Sequence, residues 1–170
     1  MKRGEFWIAY VLLLLAQLLI SNYFHVTPYV MLTLLPVMVL CIPLRIGTIG
    51  AMLIACLTGL TIDILSEGVL GLNALALVPV AYIRKGLVNL IFGPELFARK
   101  ADFSVARYGF AKVATALLLS LLLFLVIYIW ADGAGTRPLW FNGIRLAASL
   151  ATSFLVSILT LGVLAPDSRK

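Results

Sequence analysis

The stretch GLTIDILSEGVLGLN, residues 59–73, contains a carboxylate, Asp63, with leucine and isoleucine neighbours on both sides. An acidic residue in such an apolar run is costly to bury and usually has a structural or functional role. The polar letters SEG in the middle separate two apolar blocks, which is typical of a turn between two helices. Whether these blocks form the core of a soluble domain or cross a membrane decides the fold.

The composition of the whole chain favours the membrane. Of its 170 residues, 63% are hydrophobic and 12% are charged, and the mean hydropathy is +1.12. So few charges do not make the polar surface of a soluble domain, and the apolar blocks have the length of about 20 residues that crosses a bilayer. The net charge of +6 comes mainly from basic residues between these blocks, so membrane topology explains it better than nucleic-acid binding. The sequence predicts an all-α integral membrane protein with no nucleic-acid site.

Six transmembrane helices are predicted, in a single membrane domain of residues 1–170. Their expected bounds are residues 6–24, 29–44, 46–65, 67–83, 111–130 and 140–164, with an interfacial elbow at residues 86–108. Pro36 is expected to kink the second span. The fourth span is expected to begin near Glu67, because a start at Leu72 leaves a helix too short to cross. Its extension past Arg84 would place two cations within the membrane.

The basic residues predict the orientation of the bundle. With the N-terminus in the cytoplasm, eleven of the 13 Lys and Arg residues fall on the cytoplasmic side, and Arg137 and Arg145 fall outside. This distribution follows the positive-inside rule. We therefore expect both termini in the cytoplasm and the turn after Asp63 on the outer side of the membrane.

Small residues recur at every fourth position of the predicted third span. They are Gly47, Ala51, Ala55 and Gly59, and Asp63 continues the series. Small side chains at this spacing let the backbone of another helix approach closely. Packing inside the bundle is the favoured interpretation, and contact with a second protein is the alternative. A similar row in the sixth span, Ser149, Ser153 and Ser157, favours helix packing over the lining of a solute path.

The turn after Asp63 supplies the candidate site. Asp63 is expected to accept hydrogen bonds from the free amides of the next helix, which we place just after Ser66. Arg145, near the outer end of the sixth span, is a candidate ion-pair partner for the Asp63 carboxylate. A capped turn without a ligand is one interpretation, and a partner-binding or conformational role is the other. The residues assigned to the second role are Gly59, Asp63, Gly68, Leu70, Gly71 and Asn73.

The sequence contains no arrangement of residues typical of an enzyme. Paired carboxylates, a metal-ligand cluster, a nucleophile motif and a phosphate-binding glycine loop are absent, so no catalytic residue, metal or cofactor is predicted. His25 is expected to be a surface residue in an outer loop. Cys41 and Cys56 are expected to be buried thiols rather than a disulfide.

The stretch GLTIDILSEGVLGLNALALVPVAYI, residues 59–83, resembles the signature region of the MreD family of bacterial rod-shape-determining membrane proteins. That family shows Gly-x-x-x-Asp at the end of an apolar span, then a short turn, then Leu-Gly-x-x-x-Leu. The residues at these positions are Gly59, Asp63, Leu70, Gly71 and Leu75. The chain length, the number of spans and the central place of the motif extend the resemblance loosely over the whole chain.

The resemblance implies a non-catalytic scaffold of the cell-elongation machinery, which makes peptidoglycan, in the bacterial inner membrane. It implies a fold similar to that of the substrate-binding subunits of energy-coupling-factor transporters. The implied direct partner is MreC, and the more distant ones are MreB, RodZ, RodA and a penicillin-binding transpeptidase, with membrane lipids around them. The alternative is a substrate-capture subunit of a small-molecule transporter of the vitamin type. A membrane-embedded lipid enzyme is less favoured, and the sequence leaves open whether a lipid-linked cell-wall precursor binds.

Overall fold

The computed structural model of the protein describes residues 3–23, 30–67, 69–93, 109–133 and 137–164, and within these ranges it contains six α-helices. The helices are α1 (Arg3–Tyr23), α2 (Leu35–Leu40), α3 (Thr48–Ile62), α4 (Leu72–Phe92), α5 (Phe110–Gly133) and α6 (Leu139–Leu164). A π-helical segment, Asp63–Glu67, continues α3.

Five of these helices are long and apolar enough to cross a membrane. They are α1, α3 with its π-helical continuation, α4, α5 and α6, so the prediction of an all-α multi-pass membrane protein is confirmed. The bounds of α5 and α6 agree with the expected ones to within a few residues, because each helix comes from one uninterrupted apolar block.

The second predicted span is not a continuous helix. α2 has only 6 residues, and residues 31–34 before it are not helical. Pro36 lies in the first turn of α2, where its missing N–H is tolerated, while its ring would collide with the carbonyl group four residues earlier in a longer helix. The prediction of a kink is therefore wrong, since Pro36 begins a helix and does not bend one. Among the described residues, five helices and not the predicted six are long and apolar enough to cross a membrane, and the second predicted span is the one that differs.

Residues 30–46 nevertheless lead from one end of the bundle to the other. At the end of α1, the side-chain amide of Asn22 donates to the carbonyl oxygen of Leu65 at 3.4 Å, beside the turn between α3 and α4. The beginning of α3 lies at the opposite end, where Gly47 and Arg84 line one cavity. We name these the corner end, at the turn between α3 and α4, and the basic end, at the beginning of α3.

The fourth span also differs from the prediction. α4 begins about one turn later than expected and continues beyond Arg84 to Phe92, so residues 86–92 are helix and not an elbow. Arg84 is only 5% exposed, and its guanidinium donates from Nε to the Leu40 carbonyl oxygen at 3.1 Å and from Nη2 to the Ile42 carbonyl oxygen. The helix was expected to end at Arg84 because a guanidinium facing lipid would lose its hydrogen bonds to water. In the structure the two carbonyl groups accept hydrogen bonds in place of water, so the helix can continue. The rest of the predicted elbow, residues 94–108, lies outside the described residues.

The core is built around α4 and the short α2. α4 packs against α3 on one side and α5 on the other, and α2 contacts both α4 and α5. All residues of α2 are buried. The outer faces of the long helices carry exposed apolar side chains, for example Ile8, Leu53 and Leu159, as a surface in contact with lipid requires.

Candidate functional site

The Asp63 carboxylate is fully buried and caps the beginning of α4. Its Oδ2 accepts the backbone N–H of Gly71 at 3.0 Å and that of Ala74 at 3.4 Å. Its Oδ1 accepts both the backbone N–H and the side-chain amide of Asn73, each at 2.9 Å. The first amides of a helix have no partner within it, so these bonds stabilise the end of α4. The predicted capping role of Asp63 is confirmed, but the capped helix begins at Leu72 and not after Ser66.

Two glycines allow this geometry. Gly71 precedes α4 with φ +92, a left-handed conformation that residues with a Cβ rarely adopt. Gly59 lies one turn before Asp63, where an added Cβ would be 2.5 Å from both Cα and N of Ala74. The backbones of α3 and α4 therefore touch at Gly59, and this approach brings the Asp63 carboxylate within reach of the α4 amides.

The chain remains helical for one more turn after Asp63, in the π form. Because Asp63 bonds to the first amides of α4, the following turn, Asp63–Glu67, projects past the beginning of α4 at the corner end. Isolated π-helical turns are rare and often occur at functional sites. The Ser66 hydroxyl in this turn is buried and has no hydrogen-bond partner among the described residues.

Apolar side chains around the turn form an exposed patch. The corner surface consists of Leu65, Val69 and Leu70, of which Leu70 is 71% exposed. Asp63 and Asn73 are fully buried, so their side chains do not supply contact atoms for this surface. The partner-binding or conformational role expected for them stays a prediction. Gly68, also assigned to this role, lies outside the described residues.

The row of small residues on α3 faces the interior of the bundle over most of its length. Ala51, Ala55 and Gly59 are buried, while Gly47 is exposed at the beginning of the helix. The close contact observed for this row is the internal one between Gly59 and α4. Contact of the same row with a second protein stays a prediction.

A second polar cluster holds the non-helical residues 31–34 inside the bundle. On α6, Ser149 Oγ accepts the Met31 N–H at 2.8 Å, and Ser153 Oγ accepts the Thr33 N–H at 3.0 Å and donates to the Met31 carbonyl oxygen at 3.1 Å. Backbone without helical bonds survives at membrane depth only where protein groups replace those bonds. Two of the three serines in the predicted row, Ser149 and Ser153, therefore form hydrogen bonds to the backbone of this segment. This pairing also makes α6 run parallel to residues 30–46, so α6 ends at the basic end, where α1 begins.

On α1, Gln17 completes the same cluster. Its side-chain oxygen accepts the Leu34 N–H at 2.7 Å, and its side-chain nitrogen donates to the Leu32 carbonyl oxygen at 3.3 Å. Gln17 is not among the predicted site residues, although an amide within the apolar block YVLLLLAQLLI is a signal of internal hydrogen bonding.

The remaining charged and reactive residues have structural surroundings. Arg145 was a candidate partner for Asp63, but it pairs with Asp132, which Arg137 also contacts at 2.7 Å, so that expectation is wrong. Cys41 and Cys56 are both free thiols, but only Cys41 is buried as expected, and Cys56 is half-buried. His25 lies outside the described residues. No group of metal-ligating side chains occurs in the part of the chain that the structure describes.

Comparison with known proteins identifies no relative of this chain. Neither a protein-family model, nor a curated protein sequence, nor a solved structure matches the chain.

Proposed function

We propose that this protein is a non-catalytic scaffold of the MreD type, which binds MreC in the bacterial cell-elongation complex. The corner surface is the binding surface in this proposal, and it faces the outer side of the inner membrane. The proposal includes a fold similar to the substrate-binding subunits of energy-coupling-factor transporters. The more distant partners are MreB, RodZ, RodA and a penicillin-binding transpeptidase.

The observation that supports the proposal best is the use of the Asp63 carboxylate. Both of its oxygens accept hydrogen bonds from the beginning of α4, four in total. A carboxylate satisfied in this way holds a turn, and it is poorly suited to proton transfer or nucleophilic chemistry. The turn that it holds presents Leu65, Val69 and Leu70, which are apolar side chains suited to contact with a membrane-embedded partner.

The distribution of charge supports the orientation in this proposal. Arg45 and Lys85 are exposed near the basic end, which the positive-inside rule assigns to the cytoplasm. At the corner end, Arg137 and Arg145 share the carboxylate of Asp132, which lowers the net positive charge there. Both termini are cytoplasmic in this orientation.

One observation favours the transporter subunit as a second candidate. The second crossing is interrupted, and interrupted helices in membranes commonly form the substrate sites of transporters. Side chains of Gln17, Ser149 and Ser153 hold its backbone, and a conformational change could release them. A small molecule that stays bound through purification, and that Ser153→Ala weakens, would favour this candidate over the scaffold.

Co-purification with MreC tests the scaffold directly. The test variant carries Val69→Ala and Leu70→Ala, which remove two exposed side chains without introducing charge. The control is Leu90→Ala, because Leu90 is 83% exposed on α4 but lies toward the basic end. We expect the recovery of MreC to fall about tenfold for the double variant, since loss of one or two apolar anchors costs roughly 1–3 kcal/mol. Equal recovery by a double variant that inserts and unfolds like the wild type would exclude the corner surface.

A further inference from the structure

A small cavity opens at the basic end, between the beginning of α3 and the middle of α4. Its volume is about 110 Å³. The lining includes Gly47, Thr48, Ala51, Ala81, Arg84 and Lys85. A cavity of roughly 10–15 Å³ is enough to hold one water molecule, so this cavity accommodates a group of several heavy atoms.

The guanidinium of Arg84 in the wall of this cavity is only partly satisfied. Its five N–H groups include one bonded to the Leu40 carbonyl oxygen and one bonded to the Ile42 carbonyl oxygen. The other three have no acceptor among the described residues. Both acceptors are neutral, and the ion pairs of the described residues do not include Arg84. A cation that is 95% buried, with no counter-ion among the described residues, is unusual, because buried charges are normally paired.

The beginning of α3 supplies a second, independent source of positive potential. The cap residue Gly47 has no side chain that could accept a hydrogen bond from the first amides of this 15-residue helix. The free N–H groups and the helix dipole at such an end favour an anion. Thr48, in the same wall, adds a hydroxyl group that can donate a hydrogen bond.

We propose that this cavity binds a phosphate group. The Arg84 guanidinium and the free amides at the beginning of α3 are its donors. A phosphate group reaches this position from two sources, the headgroup of an anionic phospholipid or a small phosphorylated solute. The recognition chemistry is the same for both, and it does not depend on the scaffold function.

The decisive variant is Gly47→Asp. No atom lies within 4 Å of a Cβ added at Gly47, and its φ of −59 suits any residue, so the side chain fits. Aspartate is among the best helix caps, so α3 is retained, but its carboxylate occupies the α3 amides and repels an anion. Gly47→Ala is the matched control, because its methyl group meets no atom within 4 Å, carries no charge and leaves the α3 amides free.

The experiment has two arms with the purified full chain. In neutral detergent, thermal unfolding is followed with inorganic phosphate and with chloride at equal ionic strength. In nanodiscs that contain phosphatidylglycerol and phosphatidylcholine, native mass spectrometry counts the lipids that stay bound. We expect wild type and Gly47→Ala to respond in at least one arm, and Gly47→Asp to bind about tenfold more weakly.

The two arms distinguish the sources of the phosphate group. A response to inorganic phosphate without selective retention of phosphatidylglycerol identifies a small solute as the ligand, and selective retention of phosphatidylglycerol identifies a lipid headgroup. Either response supports the proposal if Gly47→Asp removes it and Gly47→Ala does not. Wild type without a response in either arm, or Gly47→Asp with the wild-type response, overturns it.

Discussion

Asp63 and Asn73 are joined by two hydrogen bonds that end on the same oxygen. Asp63 Oδ1 accepts the backbone N–H and the side-chain amide of Asn73, each at 2.9 Å. The first bond caps α4, and the second fixes the side chain of a residue in its first turn. Together they connect the end of α3 to the beginning of α4 inside a fully buried contact. The end of α3 and the beginning of α4 are therefore held in one relative position.

Neutralising Asp63 should destabilise this connection. In Asp63→Asn one oxygen becomes an NH₂ group, which faces backbone N–H groups or the amide of Asn73 and cannot accept from them. We expect a loss of about 2–4 kcal/mol in the free energy of unfolding, measured in detergent. Thr61→Val is the control, because the Thr61 hydroxyl bonds only to Leu57 in its own helix, and its effect should be within about 0.5 kcal/mol. A variant Asp63→Asn as stable as wild type would contradict the capping role.

Gly59 should tolerate no side chain. The Cβ of Gly59→Ala would lie 2.5 Å from the backbone of Ala74, so α3 and α4 must move apart, at a cost of about 1–3 kcal/mol. The matched control is Gly86→Ala in the interior of α4, where no atom lies within 4 Å of the added Cβ. The control should be neutral or stabilise by up to about 1 kcal/mol, because alanine favours a helix over glycine. The opposite order of stabilities, from thermal unfolding of both variants, would show that the helices do not touch at Gly59.

Loss of the Ser153 hydroxyl should loosen the second crossing. Ser153 bonds to the Thr33 N–H and the Met31 carbonyl oxygen, so Ser153→Ala leaves both backbone groups unsatisfied at membrane depth. Amide hydrogen exchange of residues 31–34 should become about tenfold faster, which corresponds to about 1.4 kcal/mol of lost protection.

The control for this change lies on the same face of α6. Ser157 Oγ is buried without a hydrogen-bond partner among the described residues, so Ser157→Ala should leave the exchange of residues 31–34 unchanged. Equal exchange rates for Ser153→Ala and Ser157→Ala would mean that α6 does not hold this backbone.

The sequence predicts those elements whose signal is local. α5 and α6 come from single apolar blocks, and their bounds are nearly correct. The capping role of Asp63 follows from a carboxylate placed just before the next helix. The start of that helix cannot be predicted in the same way, because the π-helical turn after Asp63 moves it further along the chain. Nothing in the sequence ILSE indicates a π-helix.

The errors arise where partners are distant in sequence. From the sequence alone, Arg84 is predicted to end a helix. Its acceptors, the carbonyl groups of Leu40 and Ile42, lie more than 40 residues away, so the sequence pattern does not reveal them. The non-helical residues 31–34 are equally unexpected, because the groups that stabilise them lie on α1 and on α6. Long-range hydrogen bonds of this kind leave only weak traces in a single sequence, such as an isolated glutamine in an apolar block.

Photocrosslinking from residue 70 tests the proposed scaffold function most directly. A photoreactive amino acid replaces Leu70 at the corner surface in one variant and Leu90 toward the basic end in the other, and both are irradiated in membranes that contain MreC. The account predicts a covalent adduct with MreC from residue 70 and none from residue 90. An adduct from residue 90 with none from residue 70 would contradict it.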